Sequence, residues 1–294
     1  MRVTRREFIQ AAGLAAGTLA LSADISAGEE GVNAVSPAIN PVYLTGWMDK
    51  WPLAELAALG YRGLELSPQC LDDSAKWAPA ARTAGMQLLC VNALPELRPY
   101  LTGSLSDAVE WRRKHTVDRL KAALGMMPEL GAKLMVVAPS RLAENYQTVD
   151  SARELLVSSL RELSDTAPEG VSVLVVSCPF RLFATSGELA GVVDAVGRGK
   201  VAAALDVGHA LLAGEQVSDA ARTLGDRLRY VQVHDADVRP GLPRLDRHLE
   251  LGKGSLRKED VRAACMGLPC AVGITAPDSP VEAAKTALDW LGSA

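Results

Sequence analysis

Eight short apolar runs recur along this chain at intervals of about 25 to 40 residues, and helically spaced apolar positions fill the gaps. The runs read as strands over residues 42–48, 63–67, 87–92, 133–138, 171–178, 201–206, 230–234 and 270–275. The intervening patterns read as helices over 52–59, 74–83, 105–130, 150–166, 186–196, 218–227, 258–266 and 281–291. Ser186, Ser218 and the pair Ser279-Pro280 stand where helix-opening residues belong. Strands that alternate with helices must pair in parallel, because each helix carries the chain back to the same end of the sheet. Eight such units in one domain-sized length predict an α/β fold closed as a (β/α)8 TIM barrel. An open doubly wound sheet would place a glycine-rich phosphate loop after the first strand, and Leu44-Thr-Gly-Trp-Met-Asp49 is not one.

The N-terminus has a different character. Thr4-Arg5-Arg6-Glu7-Phe8-Ile9-Gln10 precedes an Ala/Gly-rich apolar run from Ala11 to Ala23. Paired arginines, an aromatic residue and a modest apolar stretch make a twin-arginine export signal, expected over residues 1–27 with cleavage between Ala20 and Gly28. The run is too short for a bilayer span of roughly 20 residues. A linker over 28–40 and a barrel over 41–294 complete the expected organisation, and the mature protein is expected in the periplasm or secreted. Twin-arginine export carries folded proteins, which suits a cofactor loaded before transport. The net charge is -4, and no basic cluster remains outside the signal, which disfavours a nucleic-acid partner. Five cysteines at irregular spacing do not form a disulfide framework.

Three of the four histidines fall between residues 205 and 254, each close to an aspartate. The segments read Asp206-Val-Gly-His209, His234-Asp235-Ala-Asp237 and Asp246-Arg-His248-Leu-Glu-Leu-Gly252-Lys-Gly254. Neutral imidazole and carboxylate are the usual ligands of Zn²⁺ or Mn²⁺. Asp206 closes the sixth expected strand, His234 closes the seventh, and Asp246 and His248 lie on the loop that follows. Ligands of a TIM barrel gather at these carboxyl ends of the strands.

These segments resemble the xylose isomerase-like barrels, a superfamily of sugar and sugar-phosphate isomerases and epimerases that includes the endonuclease IV group. Ala204-Leu-Asp206-Val-Gly-His209 through Glu215 is similar to its sixth-strand signature, and 231–254 to the next block. Gly60-Tyr-Arg-Gly63-Leu-Glu65-Leu resembles its second strand, and Phe183-Ala-Thr-Ser-Gly-Glu188-Leu the entry to the helix before the signature. The resemblance implies a divalent ion held by a Glu on the fifth strand, an Asp on the sixth, a His on the seventh and a Glu on the eighth. Asp206 and His234 match. Val176 or Ser177 stands where the fifth-strand Glu belongs, and the eighth run, Cys270-Ala-Val-Gly273-Ile-Thr275, has no carboxylate. The histidines that endonuclease-like members carry near the third and fourth strands are absent.

The expected metal ligands are therefore Asp206, His234, Asp246 and His248, with Glu65 and His209 as catalytic candidates; His209 could also join the ligand set. Isomerisation and epimerisation need a proton removed beside a carbonyl and returned. Glu65 is either a pocket carboxylate able to do this or half of a structural ion pair. Asp206 could equally be a helix cap, His209 could cap the strand–helix turn, and Asp246 and His248 could form a loop-ordering pair. Trp47 could stack on a sugar face, as could Trp51 and Trp77, or each could pack in the core or rim. Lys253, between two glycines, could meet an anionic or hydroxylated substrate or remain a solvated loop lysine. Two functions follow: a metal-dependent enzyme acting on a sugar or keto-sugar, or a non-catalytic carbohydrate-binding or accessory descendant that has lost the two glutamates.

Overall fold

The computed structural model describes residues 38–39, 52–66, 74–93, 104–139, 148–179, 182–197, 199–273 and 279–292. Eight parallel strands close in sequence order into a barrel: β1 Ala38–Ile39, β2 Gly63–Leu66, β3 Gln87–Asn92, β4 Leu134–Val137, β5 Ser172–Val176, β6 Val201–Asp206, β7 Leu228–Val233 and β8 Cys270–Val272. β1 pairs with β2 on one side and β8 on the other, through Ile39 opposite Leu64 and Ala38 opposite Ala271. The first strand therefore lies within the expected linker, upstream of the expected run at 42–48, which is outside the described residues along with the expected export signal.

The helices are α1 Leu53–Leu59, α2 Ser74–Thr83, α3 Glu110–Leu130, α4 Val149–Thr166, α5 Ser186–Val196, α6 Val207–Leu212, α7 Val217–Leu224, α8 Lys258–Cys265 and α9 Pro280–Leu291. Short β-branched and apolar runs make the strands, and longer amphipathic stretches cover them. α5 opens on Thr185, not Ser186: Thr185 and Glu188 form a reciprocal capping box. Ser279 caps α9 with Pro280 in its first turn, whereas α7 follows Gln216 without a side-chain cap. No helix among the described residues is long and apolar enough to cross a membrane.

Strand alternation divides the core in two. Leu64, Leu66, Val91, Met135, Val137, Val173, Val175, Ala203, Leu205, Val231 and Val233 face outward and pack under the helices. Cys90, Val136, Ala138, Leu174, Val176, Cys178, Ala204, Tyr230 and Ala271 form a separate cluster inside the barrel. The inward parity of that second set also aims Glu65, Asn92, Asp206, Gln232 and His234 into the lumen. The lumen is thus apolar along β4 and β5 and polar towards β2, β6 and β7.

Candidate metal centre

Asp206 ends β6 and begins α6, the one helix that the hydrophobic pattern did not reveal. Its carboxylate accepts the backbone N–H of His209 at 3.0 Å, so the capping and pocket readings of Asp206 hold together. The cap turns His209 back over the barrel mouth. Gly208 sits between them because there is no room for anything larger: a Cβ there would lie 2.1 to 2.6 Å from ring atoms of His234. His234 follows β7 directly. The loop beyond it brings Asp246 and His248 back over the same opening through an antiparallel bridge between Asp235 and Leu249.

His209, His234, Asp246 and His248 each offer one ligand atom, and these atoms all lie within 4.8 Å of one another. The imidazoles of His234 and His248 stack with ring centroids 3.7 Å apart, and His209 stands edge-on to both. His248 has a left-handed backbone (φ 47°), a conformation costly for a residue with a Cβ. His209, His234 and His248 line a small cleft at the barrel mouth together with Glu65, Asp206, Gln232, Val233, Ala271 and Gly273.

The three imidazoles share one polarity. His209 Nδ1 lies 2.8 Å from the Ser177 carbonyl, His234 Nδ1 3.2 Å from the Asp235 carbonyl, and His248 Nδ1 3.3 Å from the Gly273 carbonyl. A carbonyl can only accept, so each Nδ1 carries the proton and each neutral ring presents the lone pair of Nε2. Those Nε2 atoms meet carboxylates. His209 Nε2 is 3.1 Å from Asp246, His248 Nε2 is 3.5 Å from Asp246, and His234 Nε2 is 2.7 Å from Asp206 Oδ1. Lone pairs facing carboxylates repel unless a positive charge lies between them. His234 Nε2 in particular is buried and has no aligned hydrogen-bond partner despite the nearby Asp206 oxygen.

Without a metal, protons supply that charge. Burial opposes charging His209, but Asp206 and Asp246 outweigh it and raise its pKa well above 6.5. Burial likewise opposes charging His234, and Asp206 chiefly reverses this. Burial and the neighbouring His234 push His248 down, so it stays the neutral member. Asp206 is penalised by burial, yet the surrounding imidazoles hold it at about 2; Asp246 is lowered in the same way by His209 and His248. Two carboxylates and two proton-hungry imidazoles fit one divalent cation, whose charge replaces both protons. The carbonyls behind the rings would fix the ligand tautomers.

Glu65 projects into the barrel lumen and lines the cleft. Its carboxylate accepts from Asn92 Nδ2 at 2.9 Å, Gln232 Nε2 at 2.9 Å and Tyr230 Oη at 2.5 Å, while only 1% of the residue is exposed. The sequence reading missed these three partners, although the alternation Tyr230-Val-Gln232-Val-His234 places them on the His234 face of β7. Val176 occupies the lumen at the end of β5, fully buried, and Gly273 follows β8, so neither strand end supplies a carboxylate. Lys253 is exposed and pairs with Glu250 at 2.6 Å, outside the cleft. Trp77 packs in the outer core. Trp47 and Trp51 lie outside the described residues. The fourth histidine, His115, is exposed on α3, away from the cleft lining.

The profile of the xylose isomerase-like TIM barrels matches residues 53–294. The chain belongs to this family. No curated protein matches the sequence. Among solved structures, the xylose isomerase-like chain is similar to a 3-keto-D-glucoside 4-epimerase from E. coli, at 18% identity and a TM-score of 0.68 over 88% of this chain and 100% of that one. It is similar to a D-psicose 3-epimerase from Clostridium cellulolyticum H10 that was solved with D-tagatose, at 18% identity and a TM-score of 0.71 over 87% and 98%. A zinc-bound IolI protein aligns at 20% identity and a TM-score of 0.72 over 87% and 98%. Likeness at such low identity speaks for the shared barrel alone.

Proposed function

We propose that this xylose isomerase-like barrel is a metal-dependent enzyme of the sugar isomerase and epimerase type, acting on a sugar or keto-sugar. The observation that carries the reading is the cluster of three imidazoles and Asp246, each offering one ligand atom within 4.8 Å of the others, with Asp206 2.7 Å from His234 Nε2 at its edge. His209, His234, Asp246 and His248 would hold the ion, with Asp206 beside His234. A Zn²⁺ or Mn²⁺ ion there would supply polarisation of substrate oxygens. Glu65 lines the same cleft and is the carboxylate placed to take a proton from carbon beside a carbonyl and return it. Tyr230, Gln232 and Asn92 hold its orientation. Relatives in fold that act on keto-sugars support this substrate class.

One observation favours the non-catalytic alternative: the fifth strand ends on Val176, with Ser177 next, and the run 270–275 has no carboxylate, where the family resemblance calls for glutamates. Elemental analysis of protein purified without chelator or histidine tag separates the two. Near-stoichiometric Zn or Mn, followed by turnover of a keto-sugar, supports the enzyme. Saturable sugar binding with no metal after reloading supports the binding protein. Export through the twin-arginine route is part of the proposal, and replacing Arg5-Arg6 by Lys-Lys should retain the protein in the cytoplasm.

A further inference from the structure

Asp235 is completely buried, and its carboxylate accepts four backbone N–H groups. Oδ1 takes those of Ala236 at 2.8 Å and Leu256 at 3.0 Å; Oδ2 takes those of Gly252 and Gly254, both at 2.9 Å. Its own backbone exchanges two hydrogen bonds with Leu249, at 2.8 and 2.9 Å. Gly254 is pressed against this carboxylate so closely that a Cβ would lie 2.3 Å from Oδ1 and 2.5 Å from the Ala236 carbonyl. The segment so clamped begins one residue after His248, which has a left-handed backbone (φ 47°). Hydrogen bonds to a charged acceptor are the stronger kind, and four of them satisfy one buried carboxylate without a cation.

We propose that Asp235 is a positioning residue that assembles the loop half of the centre, Asp246 and His248, before any metal arrives. This rests on the metal-centre reading only for what the loop carries, not for the clamp itself. In this arrangement the segment leaving β7 supplies His234 and, one residue on, the anchor that sets the loop ligands against it. The ion therefore meets a preorganised cradle and does not have to order the loop.

The test is amide hydrogen exchange on full-length protein, with and without Zn²⁺, in wild type, Asp235→Asn and Gly254→Ala. Asn keeps the shape of Asp but leaves two of the four N–H groups without an acceptor. The alanine at 254 pushes the loop away with the carboxylate intact. The expected wild-type result is equal, strong protection of the Gly252, Gly254 and Leu256 amides in both states. Both variants should lose that protection without metal, regain part of it at saturating Zn²⁺, and bind Zn²⁺ at least tenfold more weakly. Unprotected amides in metal-free wild type would overturn the proposal. So would wild-type protection and affinity in both variants. A wild type that binds no metal yet shows protection lost only in the variants would refute the metal centre and leave the clamp standing.

Discussion

The ring of His234 occupies the space that a side chain at position 208 would need. The dipeptide between Asp206 and His209 is thus constrained by a residue 26 positions further along the chain, and the glycine is a requirement of the site rather than of the helix. Gly208→Ala should displace the imidazole, abolish metal retention and lower stability by about 1–3 kcal/mol through overpacking. Thermal unfolding and metal content measured on the same sample check both effects.

Removing single ligands should grade the cation cradle. Asp206→Ala, His209→Ala, His234→Ala, Asp246→Ala and His248→Ala should each reduce Zn²⁺ affinity by at least about tenfold, by analogy with the loss of ligand-orienting groups. Isothermal titration gives the order of the losses. Unchanged affinity in both Asp206→Ala and His234→Ala would remove the strand-borne half of the assignment.

Glu65→Gln separates proton transfer from metal binding. The amide oxygen can still accept from Asn92 and Gln232, and its nitrogen can donate to the Tyr230 oxygen, so folding and metal content should persist. Turnover, or solvent-deuterium exchange at the carbon beside a keto-sugar carbonyl, should fall by roughly 10²–10⁴, the usual worth of a proton-transfer group. Full exchange activity would return Glu65 to a purely architectural role.

The pH dependence should have opposite signs with and without metal. In metal-free protein the raised values of His209 and His234 give a stabilisation that is complete below the unfolded value of 6.5 and is lost as pH rises through the folded values. Metal must displace those protons, so its contribution grows as pH rises. The gap in Tm between loaded and metal-free protein should therefore widen between about pH 6 and pH 8. A constant gap would show that the ligand nitrogens are already unprotonated.

Much of the barrel is legible in the sequence because strand and helix periods differ and each run is bounded by turns; β3, β6, α2 and α5 fall where the pattern puts them. β1 is not legible, because two residues carry no period, and α6 is hidden because its apolar stretch Val207–Leu212 continues the run of β6. The site is legible as ligand chemistry at strand ends. His209 reads in sequence as a candidate for either proton transfer or ligation, and one of its ring nitrogens lies in the cluster with His234, Asp246 and His248. What sequence does not show is direction: that three Nδ1 atoms are tied to carbonyls, and that Asp235, adjacent to a candidate ligand, faces four amides instead of the cleft. Those depend on backbone groups from Ser177 to Gly273, which no side-chain pattern records.

The groups that would hold a cation, and the carbonyls beside their rings, all come from the half of the barrel that starts at β5. Among the described residues the earlier half contributes Glu65 and Asn92 to the polar lumen and otherwise a wall. The four clustered side chains, His209, His234, Asp246 and His248, thus lie on one contiguous stretch of chain. A change confined to that stretch could remake the whole cluster without touching the first four strands.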